Sequence, residues 1–445
     1  YQCFFKPSHS SYDRMIPILP LSLFSNSFYV SMLLPSLLQL YGDVEPMYYQ
    51  KQRHRANLSI VIEHLLADTS HRNALLARVA VQNKKDQQNQ QNEQNEQNEQ
   101  NEQNEQETNK ETKENTTQSL DQSENEFNFT STVNGLMNQA NSAITDGLTR
   151  LENIRKHEDK IKNIVVWQAK TEEEKKDAEN EFQEDEQLAK HHLETALQAL
   201  DLLVVVTKHM QQPFMNPLLL GRLASTLTIL LRKLIESQTS LKVNNPEKYG
   251  FNAKELLRKV ITTCLNMYGT TTASSTASSS TSSGTNDMND SITNDTDGTT
   301  NDRRALFCAA LASPFVEDFD LSILDRSIKI VRKHSIIRGN DFNGQGVELW
   351  SSLINRIKKE VESQKEDEEM LGEIPDEFLC ALMCTLMEDP VNLGCAIVDR
   401  NSILQQLLNS GKNPYTMMPM TVDDLVPMPE LKLKIENWLK EQRGH

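Results

Sequence analysis

Apolar residues recur three and four positions apart over several long stretches of the chain. Between Leu220 and Leu234 leucines fall at this helical spacing, behind Asn216 and Pro217, which are typical of a helix cap and a first-turn proline. The same spacing appears within residues 58–65 and 197–204. Because no alternating strand pattern accompanies these helices, the sequence predicts a mainly α body of stacked helical pairs.

Two stretches lack the apolar side chains that could offset the entropy cost of ordering the backbone. Residues 82–125 contain a Gln-Asn-Glu triplet repeat, and residues 270–302 are rich in Ser, Thr, Asn, Asp and Gly. Both are predicted to be disordered inserts. A shorter acidic run, residues 361–370, is interpreted either as a hinge or as the charged end of a helix, and the pattern does not choose between them.

After Leu371 the pattern changes to short apolar runs, a turn at Gly394 and two further helices. The first of these helices spans about residues 400–409, with Asp399 placed to cap it, and the second starts near residue 430, behind Pro429. This mixture predicts a small α+β module. The predicted organisation is therefore a helical core in three parts, two inserts, a hinge and a terminal module: residues 1–81, 82–125, 126–269, 270–302, 303–360, 361–370 and 371–442.

The chain is acidic, with 46 Lys and Arg against 63 Asp and Glu in 445 residues and a net charge of −17. Binding to a phosphate backbone needs clustered basic residues, so nucleic acid is not expected as a partner. The apolar stretch from Met15 to Tyr41 is interrupted by three prolines and a polar Ser25-Asn26-Ser27 break, so no membrane span and no membrane partner are expected. The first residue is Tyr1 rather than Met, which indicates a fragment, and no leader pattern is present.

Six cysteines in 445 residues are too few for a disulfide scaffold and favour a reducing compartment, so the expected location is cytoplasmic and nuclear. Cys380, Cys384 and Cys395 lie close together in sequence and invite a zinc interpretation, but no suitable fourth ligand falls inside the module. Their favoured interpretation is that of buried small apolar residues. No metal, no cofactor and no covalent nucleophile are expected, because no phosphate loop, dinucleotide turn or nucleophile elbow appears.

The terminal module resembles a U-box, and in particular that of the ubiquitin conjugation factor E-four family of chain-elongating ligases. The resemblance rests on the segments 374–379, 382–391, 399–400, 407–408 and 413–415, and pieces of residues 33–45 and 241–251 are similar to the helical core of that family. It implies an elongated, helical-repeat-like (armadillo-like) core followed by a small α+β, RING-like U-box without zinc. In such a module hydrogen bonds and packing replace the metal ions.

By resemblance, two loops flank a shallow groove that binds a ubiquitin-conjugating enzyme charged with ubiquitin. Leu382 and Cys384 in the first loop, with Pro414 and Tyr415 in the second, are the residues placed to make this contact. The implied activity is a non-covalent transfer of ubiquitin to lysine, accelerated because the tethered ubiquitin is held in one arrangement. Ubiquitylated substrates and the AAA segregase ATPase are the further partners that the family implies.

One position departs from the family in a way that bears on activity. Family members usually carry an arginine in the second loop, which bridges ubiquitin and the conjugating enzyme, and here Met417 stands at that position. A thioether has no hydrogen-bond donor and cannot form the bridge. Two functions therefore stay open: a chain-elongating ubiquitin ligase in ubiquitin-dependent degradation, with reduced activity, or an adaptor that scaffolds partners of the ubiquitin pathway without stimulating transfer.

Overall fold

The computed structural model describes residues 5–6, 16–17, 26–43, 49–85, 127–240, 243–269, 298–313, 320–337 and 341–443. The chain divides into two compact units, residues 1–135 and 136–445. Among the described residues helices predominate in both units, and the short strands occupy only 5–6, 16–17 and the terminal module. The prediction of a mainly α core followed by a small module containing strands is confirmed.

The first unit contains three helices among its described residues, α1 (Ser27–Asp43), α2 (Tyr49–Ala67) and α3 (residues 69–85). Two short antiparallel strands, β1 (Phe5–Lys6) and β2 (Ile16–Pro17), precede them. Helix α1 packs against α2, and the side chains of Leu58, Ile62 and Leu65 on α2 are buried as their spacing predicts.

The helices of the second unit supply most of the buried apolar surface. They are α4 (Phe129–Lys162), whose first residues belong to the first unit, α5 (Ile164–Gln168), α6 (Glu172–His209), α7 (Pro217–Ser240), α8 (Ala253–Tyr268), α9 (Gly298–Ala312), α10 (Leu321–His334) and α11 (Gly346–Leu371). Helix α8 packs against α6 and α7, while α9 packs against α7 and α11.

Helix α7 begins where the sequence predicts. The side-chain oxygen of Asn216 accepts a hydrogen bond from the backbone N–H of Leu218 at 3.0 Å, and Pro217 occupies the first helical position. The apolar stripe of this helix is buried over its whole length, through Leu220, Leu223, Leu227, Leu230, Leu231 and Leu234. Helix α7 is therefore a central element of the core rather than a surface helix.

The acidic run 361–370 lies within α11, which continues to Leu371. The run is therefore the charged end of a helix, and its alternative, a hinge between elements, is not what the structure shows. The physical reason is that Glu and Lys are good helix formers and an exposed helix end tolerates their charge. Of the two predicted inserts, residues 82–85 end α3 and residues 298–302 begin α9, and the rest of both inserts lies outside the described residues.

The terminal module is built around a three-stranded antiparallel sheet of order β4-β3-β5, formed by β3 (Pro390–Asn392), β4 (Ile397–Asp399) and β5 (Val426–Pro427). Helix α12 (Arg400–Ser410) follows β4 directly, and α13 (Pro429–Arg443) ends the described chain. The module has its own core of buried side chains, to which the sheet and both helices contribute: Phe378, Cys380, Met387, Val391, Leu393, Val398, Ile403, Leu407, Leu425, Leu431 and Ile435.

No helix of the described part of the chain combines the length and the apolar character that crossing a bilayer requires.

Candidate functional site: two loops of the terminal module

The first loop, residues 379–386, is closed at its base by an antiparallel bridge between Leu379 and Leu386. Inside this bridge the N–H of Cys380 donates to the carbonyl of Thr385 at 2.8 Å, and the N–H of Cys384 donates to the carbonyl of Cys380 at 2.7 Å. Cys384 has a φ of 55°, in the left-handed region. The loop is therefore a tight turn with a specific backbone shape.

The second loop, residues 412–419, repeats this shape with different side chains. Lys412 and Pro419 form the closing bridge, the N–H of Asn413 donates to the carbonyl of Met418 at 2.9 Å, and the N–H of Met417 donates to the carbonyl of Asn413 at 2.8 Å. Met417 has a φ of 59°, as Cys384 has in the first loop. The two loops thus share one hydrogen-bond pattern, although their residues differ.

Buried polar groups occupy the interior of each loop. The thiol sulfur of Cys380 is fully buried and accepts a hydrogen bond from the N–H of Asp399 at 3.2 Å. In the second loop the buried side-chain oxygen of Asn413 accepts from the N–H groups of Tyr415 at 2.9 Å and Thr416 at 3.2 Å. In the second loop a buried side chain therefore satisfies two backbone donors of the turn, whereas in the first loop the buried thiol links the turn to β4.

Asp399 ties the first loop to the sheet and to helix α12. Its fully buried carboxylate accepts from the N–H groups of Glu388 at 2.9 Å and Asp389 at 3.0 Å with one oxygen, and from that of Asn401 at 2.9 Å with the other. The last contact is the helix cap that the sequence predicts. One carboxylate thus satisfies three backbone donors, two of which precede β3.

Asp389 forms a second polar link, through ion pairs. Its carboxylate contacts Arg400 Nε at 2.8 Å and Lys432 Nζ at 3.0 Å, which joins the start of α12 to α13. Neither ion pair is predicted from the sequence, because the partners lie 11 and 43 positions from Asp389. The sequence shows only that an acidic residue precedes a strand and that a basic residue starts a helix.

Among the residues that the structure describes, no group of three His, Cys, Asp or Glu side chains could hold a metal ion. The three cysteines have different environments: Cys380 is buried, whereas Cys384 and Cys395 are exposed. The interpretation of all three as buried apolar residues is therefore wrong for Cys384 and Cys395. The reason is that Cys384 lies at the corner of the first loop and Cys395 in the turn between β3 and β4, both outside the buried core of the module.

The residues expected to line the groove are accessible to different degrees. Leu382 is half-buried and packs in part against the core of the module, Pro414 is half-buried, and Tyr415 is 45% exposed. Partial burial raises the pKa of Tyr415, and the thiols of Cys380, Cys395 and Cys384 add to this effect. The side chains of Leu382, Pro414 and Tyr415 therefore all keep some surface that a partner could contact.

Met417 and its neighbour Met418 are the most exposed apolar side chains of the second loop, at 65% and 64%. The position expected to carry a bridging arginine therefore faces solvent and presents a thioether. No charged group takes its place within the second loop beyond Lys412, which lies at the loop's base.

Paired loops held by hydrogen bonds and packing beside a small sheet are the arrangement that the resemblance to a U-box implies. A U-box family model matches residues 374–444, and a model described as the ubiquitin elongating factor core matches residues 3–358. Because the second match covers well over half of the chain, the chain belongs to the ubiquitin elongating factor family, and the resemblance found in its sequence is confirmed.

Curated relatives agree with this assignment. The chain is 24% identical over 420 residues to the probable ubiquitin conjugation factor E4 of Arabidopsis thaliana, which covers 93% of this chain and 33% of that protein. It is 28% identical over 314 residues to the ubiquitin conjugation factor E4 ufd-2 of Caenorhabditis elegans, covering 70% and 28%, and 24% identical over 327 residues to the E4 ubiquitin-protein ligase UFD2 of Saccharomyces cerevisiae, covering 72% and 30%. The chain spans about a third of the length of these relatives.

Proposed function

We propose that this chain is a U-box ubiquitin ligase that elongates ubiquitin chains. It binds a conjugating enzyme that carries ubiquitin as a thioester and promotes transfer of the ubiquitin to a lysine on a substrate or on a growing chain. The observation that carries this proposal is the U-box match over residues 374–444, within which Leu382, Pro414 and Tyr415 are partly or largely accessible. The curated relatives named as ubiquitin conjugation factors or as a ubiquitin-protein ligase support the same reaction.

The proposed groove concentrates its affinity in a few apolar groups. Leu382 packs in part against the core of the module, so its position is held, while the ring of Tyr415 in the second loop is almost half exposed. A small apolar anchor on a rigid support is how transient protein interfaces gain affinity with little area. Cys384, exposed at the corner of the first loop, completes the proposed contact surface.

The proposed mechanism needs no nucleophile from this chain. The thioester is on the conjugating enzyme, and the attacking group is the lysine amine of the acceptor. Holding the conjugating enzyme and its ubiquitin in one arrangement lowers the entropy cost of reaching the transition state, and well-oriented groups can gain about 7–11 kcal/mol in this way. The ordered hydrogen bonds of both loops supply the rigid surface that such alignment requires.

Ubiquitylated substrates are the further partners in this proposal, and ubiquitin-dependent protein degradation is the process it serves. The AAA segregase ATPase stays an expectation drawn from the family.

Met417 favours a second candidate function, that of an adaptor. A bridging donor at this position would contact ubiquitin and the conjugating enzyme together, and a thioether contributes no donor. If the bridge is essential, the U-box binds a conjugating enzyme without stimulating transfer, and the chain acts by bringing partners of the pathway together. The two candidates share the groove and differ only in the rate of transfer.

The test measures binding and transfer separately with the full chain. A panel of conjugating enzymes is charged with ubiquitin, and discharge to free lysine is followed with wild type, Leu382→Ala and the matched control Leu433→Ala, which truncates a leucine on α13 that is 57% exposed. We expect Leu382→Ala to lose at least tenfold in discharge and binding, as truncation of an anchor costs about 2 kcal/mol. Equal loss in both variants, or none, would contradict the proposed groove.

Met417→Arg separates the ligase from the adaptor. If wild type stimulates discharge, the chain is a ligase, and restoring the donor raises the rate further. If wild type binds without stimulation and only Met417→Arg gains activity, the adaptor function is correct. Met418→Arg, with the same charge one position away and similar exposure, controls for a general effect of added positive charge.

A further inference from the structure

The U-box is packed directly on the helical core. Helix α12 of the U-box contacts α7, which is buried in the centre of the second unit, and the contact involves the first turns of α7. We call the core residues at this contact, Asn138, Gly221 and Arg222, the U-box seat. The seat brings two parts of the chain together that lie more than 170 positions apart in sequence.

Gly221 leaves room for the end of the Gln405 side chain on α12. A Cβ atom at this position would lie 2.7 Å from the side-chain nitrogen of Gln405, so a larger residue requires that side chain to move. A glycine inside a helix costs about 1 kcal/mol relative to alanine, so its presence in an otherwise leucine-rich helix requires a reason. The reason that the structure offers is the space that the side chain of Gln405 fills.

A polar connection runs from the core into the end of α12. The buried guanidinium of Arg222 donates to the side-chain oxygen of Asn138 on α4. The side-chain nitrogen of Asn138 lies 3.5 Å from the carbonyl oxygen of Leu408, to which it donates. This carbonyl belongs to the last turn of α12, so the contact connects the core to the end of the helix that leads into the second loop.

A second contact limits rotation of the U-box about the seat. Helix α11 ends at Leu371, with only two residues between it and the start of the U-box match at Ile374, and α11 also contacts α13. The U-box is therefore attached to the core through a short link and through two of its own helices. A module attached at three places is held in one orientation, because a free hinge needs a longer link and no side contacts.

The packed arrangement leaves the proposed groove accessible. With α12 in the seat, Tyr415 is still 45% exposed and Met417 65% exposed. The contact with the core therefore does not cover the second loop and leaves it open to a partner. The second loop follows Gly411, directly after the end of α12 that the seat holds.

We infer that the U-box seat is a positioning element of the ligase: Gly221, Asn138 and Arg222 hold α12 so that the second loop presents the charged conjugating enzyme in a fixed direction relative to the helical core. The expected effect on ubiquitin transfer rests on the proposed function. The packing of α12 in the seat does not depend on that function and is tested separately. The positioning residues touch neither ubiquitin nor the conjugating enzyme, and they act through α12.

The test introduces bulk into the seat of the full chain with Gly221→Leu. The matched control is Gly135→Leu, which places the same side chain on a helical glycine where a Cβ meets nothing within 4 Å. Hydrogen exchange measured by mass spectrometry, without any partner, reports whether α12 leaves the seat. We expect faster exchange at the end of α12 for Gly221→Leu, with the exchange of residues 412–419 in the second loop unchanged, and no change at either place for Gly135→Leu.

Two transfer assays then separate positioning from mere stability. Discharge to free lysine needs only the U-box, so we expect Gly221→Leu to stay within about twofold of wild type. Transfer to an acceptor ubiquitin in chain elongation depends on the direction of presentation, and we expect a loss of up to about 100-fold, the effect of a misplacement of about 1 Å. A variant that simply unfolds the U-box would lose both activities together.

A compensating double variant and an independent variant test whether the loss comes from the seat rather than from general destabilisation. Gly221→Leu combined with Gln405→Ala returns the space that the leucine occupies, so exchange and chain elongation should recover towards wild type. Asn138→Ala removes the contact with Leu408 without adding bulk and should lower chain elongation in the same direction, by a smaller factor.

Several results would overturn the inference. Equal exchange in Gly221→Leu and Gly135→Leu would show that α12 does not occupy the seat. Unchanged chain elongation with α12 released would show that the seat does not position the U-box, and a rise in discharge to free lysine would show that it inhibits instead. If wild type neither binds nor discharges any conjugating enzyme, the proposed function fails and the positioning role with it, while the exchange data still decide the packing.

Discussion

Removal of the Asp399 carboxylate is the sharpest test of how this U-box is held together. In Asp399→Ala the backbone N–H groups of Glu388, Asp389 and Asn401 lose their common acceptor, which is fully buried. The cap of α12 is lost at the same time as the link to the residues before β3. The same substitution at Asp423, an exposed aspartate of the same module, is the control.

The expected cost follows from these three contacts. Loss of a helix cap costs about 1 kcal/mol. Each of the other two hydrogen bonds to a charged acceptor contributes about 1.5 kcal/mol, the lower end of the usual range, because Glu388 is exposed and water can replace part of the bond. The total of about 4 kcal/mol compares with a stability of about 3.5–10 kcal/mol for a module of this size. Asp399→Ala should therefore leave the U-box marginally stable or unfolded.

The assay is hydrogen exchange of the full chain in increasing urea, read from peptides that cover β3 and β4. With a slope of about 1 kcal/mol per molar urea, the midpoint of the U-box should fall by about 4 M, whereas peptides from α8 should keep theirs. Asp423→Ala should change the midpoint by less than about 0.5 M, because exposed substitutions away from special contacts change stability by about 0.5 kcal/mol at most. Equal midpoints for Asp399→Ala and Asp423→Ala would refute the assignment of Asp399 as the polar centre of the module.

Two further predictions concern the helical core. Hydrogen bonds from Arg258 lower the pKa of Glu255 to about 2, below its unfolded value of about 4.3, so its stabilising effect is present above pH 4.3 and is lost as the pH falls towards 2. In acid unfolding monitored by circular dichroism, Glu255→Gln should therefore lose less stability over this range than wild type, and equal losses would contradict the pairing. Burial raises the pKa of Cys264 and of Cys308 to about 12, so a thiol reagent at pH 8 should label the exposed Cys384 and Cys395 first and the two buried thiols only after unfolding. Early labelling of Cys264 or Cys308 would contradict their burial.

Much of the candidate site could be predicted because its signals are local or depend on a familiar order of motifs. Asp399 was expected to cap α12 from its place before an apolar helical run, and the structure confirms this. The positions of Leu382 and Tyr415 came from the resemblance alone, and their role in binding stays a prediction. The environment of the cysteines could not be predicted, because the same residue type is buried in Cys380 and exposed in Cys384, four positions away.

The sequence does not predict the ion pairs of Asp389 or the U-box seat. Their partners are far apart along the chain, and which distant groups meet depends on how α12 packs against α7 and α13. A single chain sequence carries no pairing information over such separations, since many acids and bases would satisfy the same chemistry.

The sequence by itself determined the helical nature of the core, the start of α7, the place of the terminal module and the family. It could do so because helical periodicity, caps and the U-box motif each depend on residues that are close together in the sequence. Only the tertiary structure decided that the two loops share one hydrogen-bond pattern, that Asp399 serves three backbone donors, and that Gly221 makes room for Gln405. These features depend on burial and on distances between remote residues, and such quantities exist only once the chain has folded.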